Sequence, residues 1–126
     1  MPHELPDTLL RELGEKLVDL SFESITITRS SASDGPKIIF VNDAFTRLTG
    51  YAASDVIGQT PGLLQGSETD PATLKLLDET VKRGETFHGK AINYRKDGTS
   101  FEMEWKVTSV GSDGDADYYM AVQREA

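Results

Sequence analysis

Phe40-Val41-Asn42-Asp43-Ala44-Phe45-Thr46-Arg47-Leu48-Thr49-Gly50-Tyr51 is the stretch from which the rest of the chain can be read. It completes the apolar run Ile38-Ile39-Phe40-Val41, which has the length and side-chain type of a strand. Asn42 or Asp43 then offers a side-chain oxygen to the free backbone N–H groups of a short helix through Ala44, Phe45 and Leu48. Gly50 closes that helix, because glycine takes up a left-handed backbone at no steric cost.

Upstream, Ser24-Ile25-Thr26-Ile27-Thr28 alternates as a half-buried strand does, and a polar turn from Ser30 to Pro36 joins it to the apolar run. Earlier still, Leu9, Leu10, Leu13, Leu17 and Leu20 fall at helical spacing, with Arg11, Glu12, Glu15 and Lys16 opposite. Asp7 is the expected cap of this helix. Gly14 costs it about 1 kcal/mol relative to alanine, so the leucine face needs something to pack against. The chain therefore divides into a flanking helix over residues 1–20 and a domain over 21–126.

Downstream, Ser54 to Gly58 reads as a single helical turn and Gln59-Thr60-Pro61-Gly62 as irregular. Thr69-Asp70-Pro71 supplies a cap and then proline at the first helical position. Leu74, Leu77 and Val81 line one face as far as Gly84. Phe87 to Tyr94 and Phe101 to Val110 flank Asp97-Gly98, a hairpin signal, and Asp113-Gly114 turns the chain into Tyr118 to Arg124. The class is α+β: a helix, two strands, several short helices and a three-stranded antiparallel meander.

Composition sets the outer limits. The 126 residues carry a net charge of −8 and no cysteine. One domain is expected at this length. Disulfides, thiolate metal sites and thiol nucleophiles are excluded. An acidic balance opposes nucleic acid as a partner, since phosphate binding needs a concentrated positive field. No apolar run approaches the roughly 18 residues of a membrane span and no secretory signal opens the chain, so a cytoplasmic location is expected.

Alternation within the meander predicts which side chains share a face. Phe101, Met103, Trp105 and Val107 fall together, as do Phe87, Gly89, Ala91 and Asn93, and Tyr119, Ala121 and Gln123. If these faces point inward, Gly89, Ala91 and Ala121 leave floor space over the sheet. Asn93 and Gln123 then present carboxamides, each both donor and acceptor, suited to the pyrimidine edge of a flavin. Alternatively, helices pack directly on the small residues and the amides bond backbone.

Other constellations reduce to simpler readings. Asp113-Gly114-Asp115-Ala116-Asp117 begins like a calcium loop, but Tyr118 and Arg124 stand where glycine and a bidentate glutamate are required. His3 and His88 are the only histidines, and with no cysteine a zinc site would need carboxylates at a spacing the chain does not offer, so no metal is expected. Glu102 and Glu104 share a strand face with Lys90 and Lys106, which fits cross-strand charge pairing better than catalysis. Nucleophile-elbow, phosphate-loop and dinucleotide fingerprints are missing, so no catalytic residues and no enzyme are expected.

The stretch quoted first, with Val56-Ile57-Gly58, resembles the first half of a PAS domain. Asn93-Tyr94-Arg95-Lys96-Asp97-Gly98-Thr99 and the closing Val122-Gln123-Arg124 resemble its second half, so the match covers about residues 20–125. The resemblance implies a five-stranded antiparallel sheet with short helices across one face, enclosing a pocket. It also implies a sensory module that binds a small ligand or partner and biases an output domain, such as a histidine kinase or diguanylate cyclase. Within the superfamily the chain is similar to the light-oxygen-voltage (LOV) branch, whose members hold a flavin, FMN or FAD. Leu64-Gln65-Gly66 matches the end of that branch's cysteine motif, whose asparagine, cysteine and arginine are here Thr60, Pro61 and Gly62. Pro61 cannot form a flavin adduct.

By the same resemblance, Gly62 and Asp78 stand where the branch has phosphate-binding arginines, and Met103 replaces one of two strand asparagines. The binding residues it implies here are Gln65, Asn93, Gln123, Thr60 and Met103. Bacterial sensor PAS domains with a threonine–proline pair at this loop fit the pattern as well. A sensory module is the expected function, with a non-adduct flavin redox sensor and a ligand-free dimerisation scaffold as the alternatives. The leucine stripe of the N-terminal helix either closes the domain's own core or forms a dimer contact, and a homodimer through this helix is expected. Relatives continue into a linker after Val122-Gln123-Arg124, so the chain is expected to be an excised domain.

Overall fold

The computed structural model describes residues 6–126, which leaves His3 outside the described residues. Helix α1 (Asp7–Leu20) precedes strands β1 (Ser24–Ser30) and β2 (Lys37–Val41). Short helices α2 (Asp43–Thr49) and α3 (Ala53–Val56), a 3-10 turn (Pro61–Leu64) and helix α4 (Pro71–Lys82) follow. The chain then runs through β3 (Phe87–Tyr94), β4 (Ser100–Asp113) and β5 (Ala116–Glu125). The strands form one antiparallel sheet in the order β2-β1-β5-β4-β3. The expected PAS arrangement is therefore present, including the N-terminal helix.

Local chemistry sets the element ends. Asn42, not Asp43, caps α2: its Oδ1 accepts the Phe45 N–H at 3.2 Å, and Gly50 ends the helix at a φ of 80°. Asp70 caps α4 by accepting from Ala72 N at 2.9 Å, with Pro71 beginning the helix. Asp7 differs from expectation. It is the first helical residue, where a carboxylate favours the helix dipole, and Pro6 occupies the cap position. The meander strands run longer than their apolar stretches, with Gly98 and Gly114 at positive φ in the turns between them.

The inner face of the sheet carries Phe87, Ala91, Phe101, Met103 and Trp105, roofed by Leu48 of α2 and by Leu77 and Val81 of α4. A second cluster, Ile38, Val41, Phe45, Val56 and Leu64, fills the corner opened by the quoted stretch. Asp55 of α3 joins that corner to the meander, since its Oδ2 accepts from Lys96 Nζ and from Ala52 N, both at 2.9 Å. These bonds, Lys96 first, hold the Asp55 carboxyl below its usual range.

On the outer face of the sheet charges do pair across strands, but through His88 and Arg124 rather than the expected Lys90 and Lys106. Glu104 accepts from Arg124 at 3.0 Å and meets His88 Nε2 at 2.6 Å across the strands, and these two partners keep its carboxyl low. Helix α1 lies apart: it buries no side chain, and Leu17 and Leu20 are 71% and 75% exposed. Its attachment is through Asn42, whose Nδ2 donates to the carbonyls of Val18 (2.9 Å) and Glu23 (3.1 Å).

Candidate functional site

Strand β1 places its side chains the opposite way from a simple amphipathic reading. Ser24, Thr26 and Thr28 are buried on the inner face, while on the other side Ile25 is buried and Ile27 half-buried. The interior here is therefore polar. Ser24 Oγ and Thr26 Oγ1 donate to Gln123 Oε1 at 2.8 and 2.9 Å, fixing that carboxamide from one end.

Beneath α4 and the 3-10 turn lies a cavity of about 350 Å³. That volume is within the roughly 300–1,000 Å³ typical of small-molecule sites. Its walls are apolar where Leu64, Leu74, Leu77, Val81 and Val107 contribute, and Trp105 forms part of the floor. The Trp105 ring is held by Phe87 at a centroid separation of 5.1 Å. Ala121 provides open floor, as expected. Gly89 does not: the Phe87 ring lies over it so closely that a Cβ there would be 2.5 Å from the ring tip. Strand alternation gives the face of Phe87 but not the direction in which its ring folds, which is why the sequence reading misplaced that space.

Gln65, Asn93, Met103 and Gln123 all line the cavity. Thr60 does not. It starts the 3-10 turn at the rim, its carbonyl accepting from Leu63 N at 3.2 Å. Asn93 and Gln123 are only 3% and 6% exposed. Asn93 Nδ2 makes one long bond of 3.4 Å to the Ala91 carbonyl, and its Oδ1 has no protein partner among the described residues. Gln123 Nε2 and Thr28 Oγ1 likewise have none. Fully occluded side-chain N and O atoms among the described residues all have partners, so these free atoms are the ones the cavity reaches. The sequence reading missed Thr26 and Thr28. Their signal was a strand whose polar face pairs with the Gln123 side of β5.

The loop closing one side is clamped to β3. Thr69 Oγ1 donates to the Ile92 carbonyl at 2.6 Å and accepts from Gly66 N at 3.0 Å, while Tyr94 Oη accepts from Glu68 N at 3.0 Å. The Tyr94 ring lies directly on Gly66, and an added Cβ would fall inside it. Gly66→Ala is expected to cost about 1–3 kcal/mol by overpacking and to displace Gln65 from the cavity wall. Urea unfolding measures the first part, and an unchanged midpoint would refute the tight contact. At the mouth, Ser30 and Pro36 face Asp78 and Lys82 of α4. Lys82 Nζ lies 2.8 Å from Asp78, which raises the lysine above its usual range.

The PAS domain family matches residues 23–125. The chain is 34% identical over 110 residues to a blue-light photoreceptor of Listeria monocytogenes, covering 87% of this chain and 43% of that protein. It is 30% identical over 129 residues to a nitrogen fixation regulatory protein of Klebsiella oxytoca, covering 99% of this chain and 26% of that protein. Among solved structures it is similar to the LOV domain of the Erythrobacter litoralis EL346 blue-light activated histidine kinase. The TM-score is 0.73 at 30% identity, over 82% of this chain and 94% of that one. The chain spans less than half the length of the curated relatives it matches.

Proposed function

This chain belongs to the PAS domain family of signal-transduction modules, and on that basis we propose that its cavity holds a small ligand whose state is passed to an output domain. The carrying observation is the pair of buried carboxamides, Asn93 and Gln123, with atoms free toward the cavity. A filled scaffold core would bond those groups internally, because a buried polar group without a partner costs about 1–3 kcal/mol. Gln65 and Met103 complete the contact set, with Thr60 at the rim. In this reading residues 21–126 are the sensory unit without catalysis of their own, residues 1–20 are the flanking helix, and a kinase or cyclase reads the output.

Gln123 connects the two roles. One end of its amide faces the cavity and the other is held by β1, and its neighbour Arg124 makes the outer-face contacts to Glu104 and Glu23. A ligand that changes from donor to acceptor at this amide alters the bonds to Ser24 and Thr26, and so the β1–β5 seam. Such a ligand shifts the module only in so far as it binds the two arrangements with different affinity.

The site can take the ring of a flavin, since donors and acceptors converge at one end between apolar walls. A flavin bound there would supply light absorption and reversible reduction. With no cysteine in the chain, the protein contributes no thiol to it. Native mass spectrometry and the visible absorbance of the purified protein test the proposal. A retained small molecule is expected, lost on Ala121→Leu, which fills the floor. After reconstitution with flavin, blue light is expected to give no covalent protein–flavin mass. A ligand-free protein made more stable by Ala121→Leu would favour the scaffold reading instead.

A further inference from the structure

We infer that the cavity selects an uncharged ligand, one that places an amide-like edge against Asn93 and Gln123 and brings no anionic group to the mouth. This rests on the small-ligand reading above and adds the chemical class. The inner end is specified by unpartnered polar groups on side chains more than nine-tenths buried. Asn93 Oδ1 is free to accept, Gln123 Nε2 is free to donate and Thr28 Oγ1 can do either. Neutral hydrogen-bonding groups satisfy all three, and none of these side chains carries a charge to balance an ion.

The mouth is the opposite of an anion site. Its cation, Lys82, is 2.8 Å from Asp78, and both residues line the opening. The other lysine of α4, Lys75, lies 3.9 Å from Glu79, so each lysine of this helix has a carboxylate one turn away. The mouth also sits at the C-terminal end of α4, where the last carbonyls place partial negative charge. A net charge of −8 on the chain adds a repulsive background. A phosphate here would meet a carboxylate and the negative end of a helix dipole, with no unpaired cation on the lining.

Riboflavin and FMN differ by a phosphate monoester alone, so titrating both against the purified protein by fluorescence quenching isolates the effect of charge. FMN is expected to bind no tighter than riboflavin. Asp78→Asn, at an exposed position, is expected to shift the ratio toward FMN by about tenfold, as removal of one facing charge from a near-dianion predicts. Gln123→Leu is expected to weaken both flavins together and leave the ratio unchanged. Wild-type protein binding FMN about tenfold or more tighter than riboflavin overturns the inference while leaving the small-ligand reading intact. If neither flavin binds, the molecule retained on purification decides: a neutral one sustains the inference and an anionic one overturns it. No retained molecule and no flavin binding would end both readings.

Discussion

Asn42→Ala is expected to lower the unfolding free energy by about 3 kcal/mol, more than its few side-chain atoms suggest. The substitution removes the cap of α2, worth about 1–2 kcal/mol. It also leaves the buried Ile25 N–H, which donates to Asn42 Oδ1 at 2.9 Å, without its partner. Through Nδ2 the same side chain holds the Val18 and Glu23 carbonyls, so α1 loses its attachment as well. Asn42→Asp separates the effects. A carboxylate keeps both acceptor contacts but sets a negative oxygen against two carbonyls, so it should retain the cap and release α1. Urea unfolding gives the stability, and protease cleavage between residues 18 and 23 reports the release. A loss below about 1 kcal/mol for Asn42→Ala would show that the junction is held elsewhere.

The second large effect concerns assembly. We propose that the protein is a homodimer with Leu13 and Leu17 in the contact, and Leu13→Glu with Leu17→Glu is expected to convert it to a folded monomer. Leu9, Leu10, Leu13, Leu17 and Leu20 are all exposed, and Phe22, just beyond the helix, is 98% exposed. An apolar stripe of that extent marks a contact surface in a soluble protein. A short helix containing Gly14 gains most of its stability from packing, and no side chain of α1 is buried within its own chain. Two carboxylates placed in a dimer contact would be buried without partners, a costly arrangement. Sedimentation velocity and circular dichroism follow the two halves of the claim. A monomeric wild type refutes it, and an unfolded double variant would assign the helix to the domain core.

Much of the fold could be read where one residue type performs one local task. Asn42, Gly50, Asp70-Pro71 and Asp97-Gly98 each fix an element end through a side-chain cap or a backbone preference of their own, and each stands where expected. The meander was legible because Phe101, Met103 and Trp105 alternate with charges, and water sorts such a strand without help from its neighbours. The site was less legible because it inverts that rule. Ser24, Thr26 and Thr28 face inward, an arrangement specified by Gln123 and Asn93, which lie far along the chain from β1. Ring packing was beyond reach for the same reason. Whether Phe87 covers Gly89, or Tyr94 covers Gly66, depends on rotamers chosen by the whole roof.

The register Ser24↔Gln123, at the head of β1 and the tail of β5, has a mechanical consequence. A tension applied between the segment entering β1 and the segment leaving β5 acts on two strand ends lying side by side. It pulls across the ladder at one rung rather than along all of it. The rungs from Ser24↔Gln123 to Ser30↔Asp117 are then loaded one after another, as in opening a zipper, instead of sharing the load in shear. The first contacts to part are the Ser24 and Thr26 hydroxyls on Gln123, the carboxamide that lines the cavity. Pulling on the ends of the domain and changing what occupies its interior therefore act on the same rung.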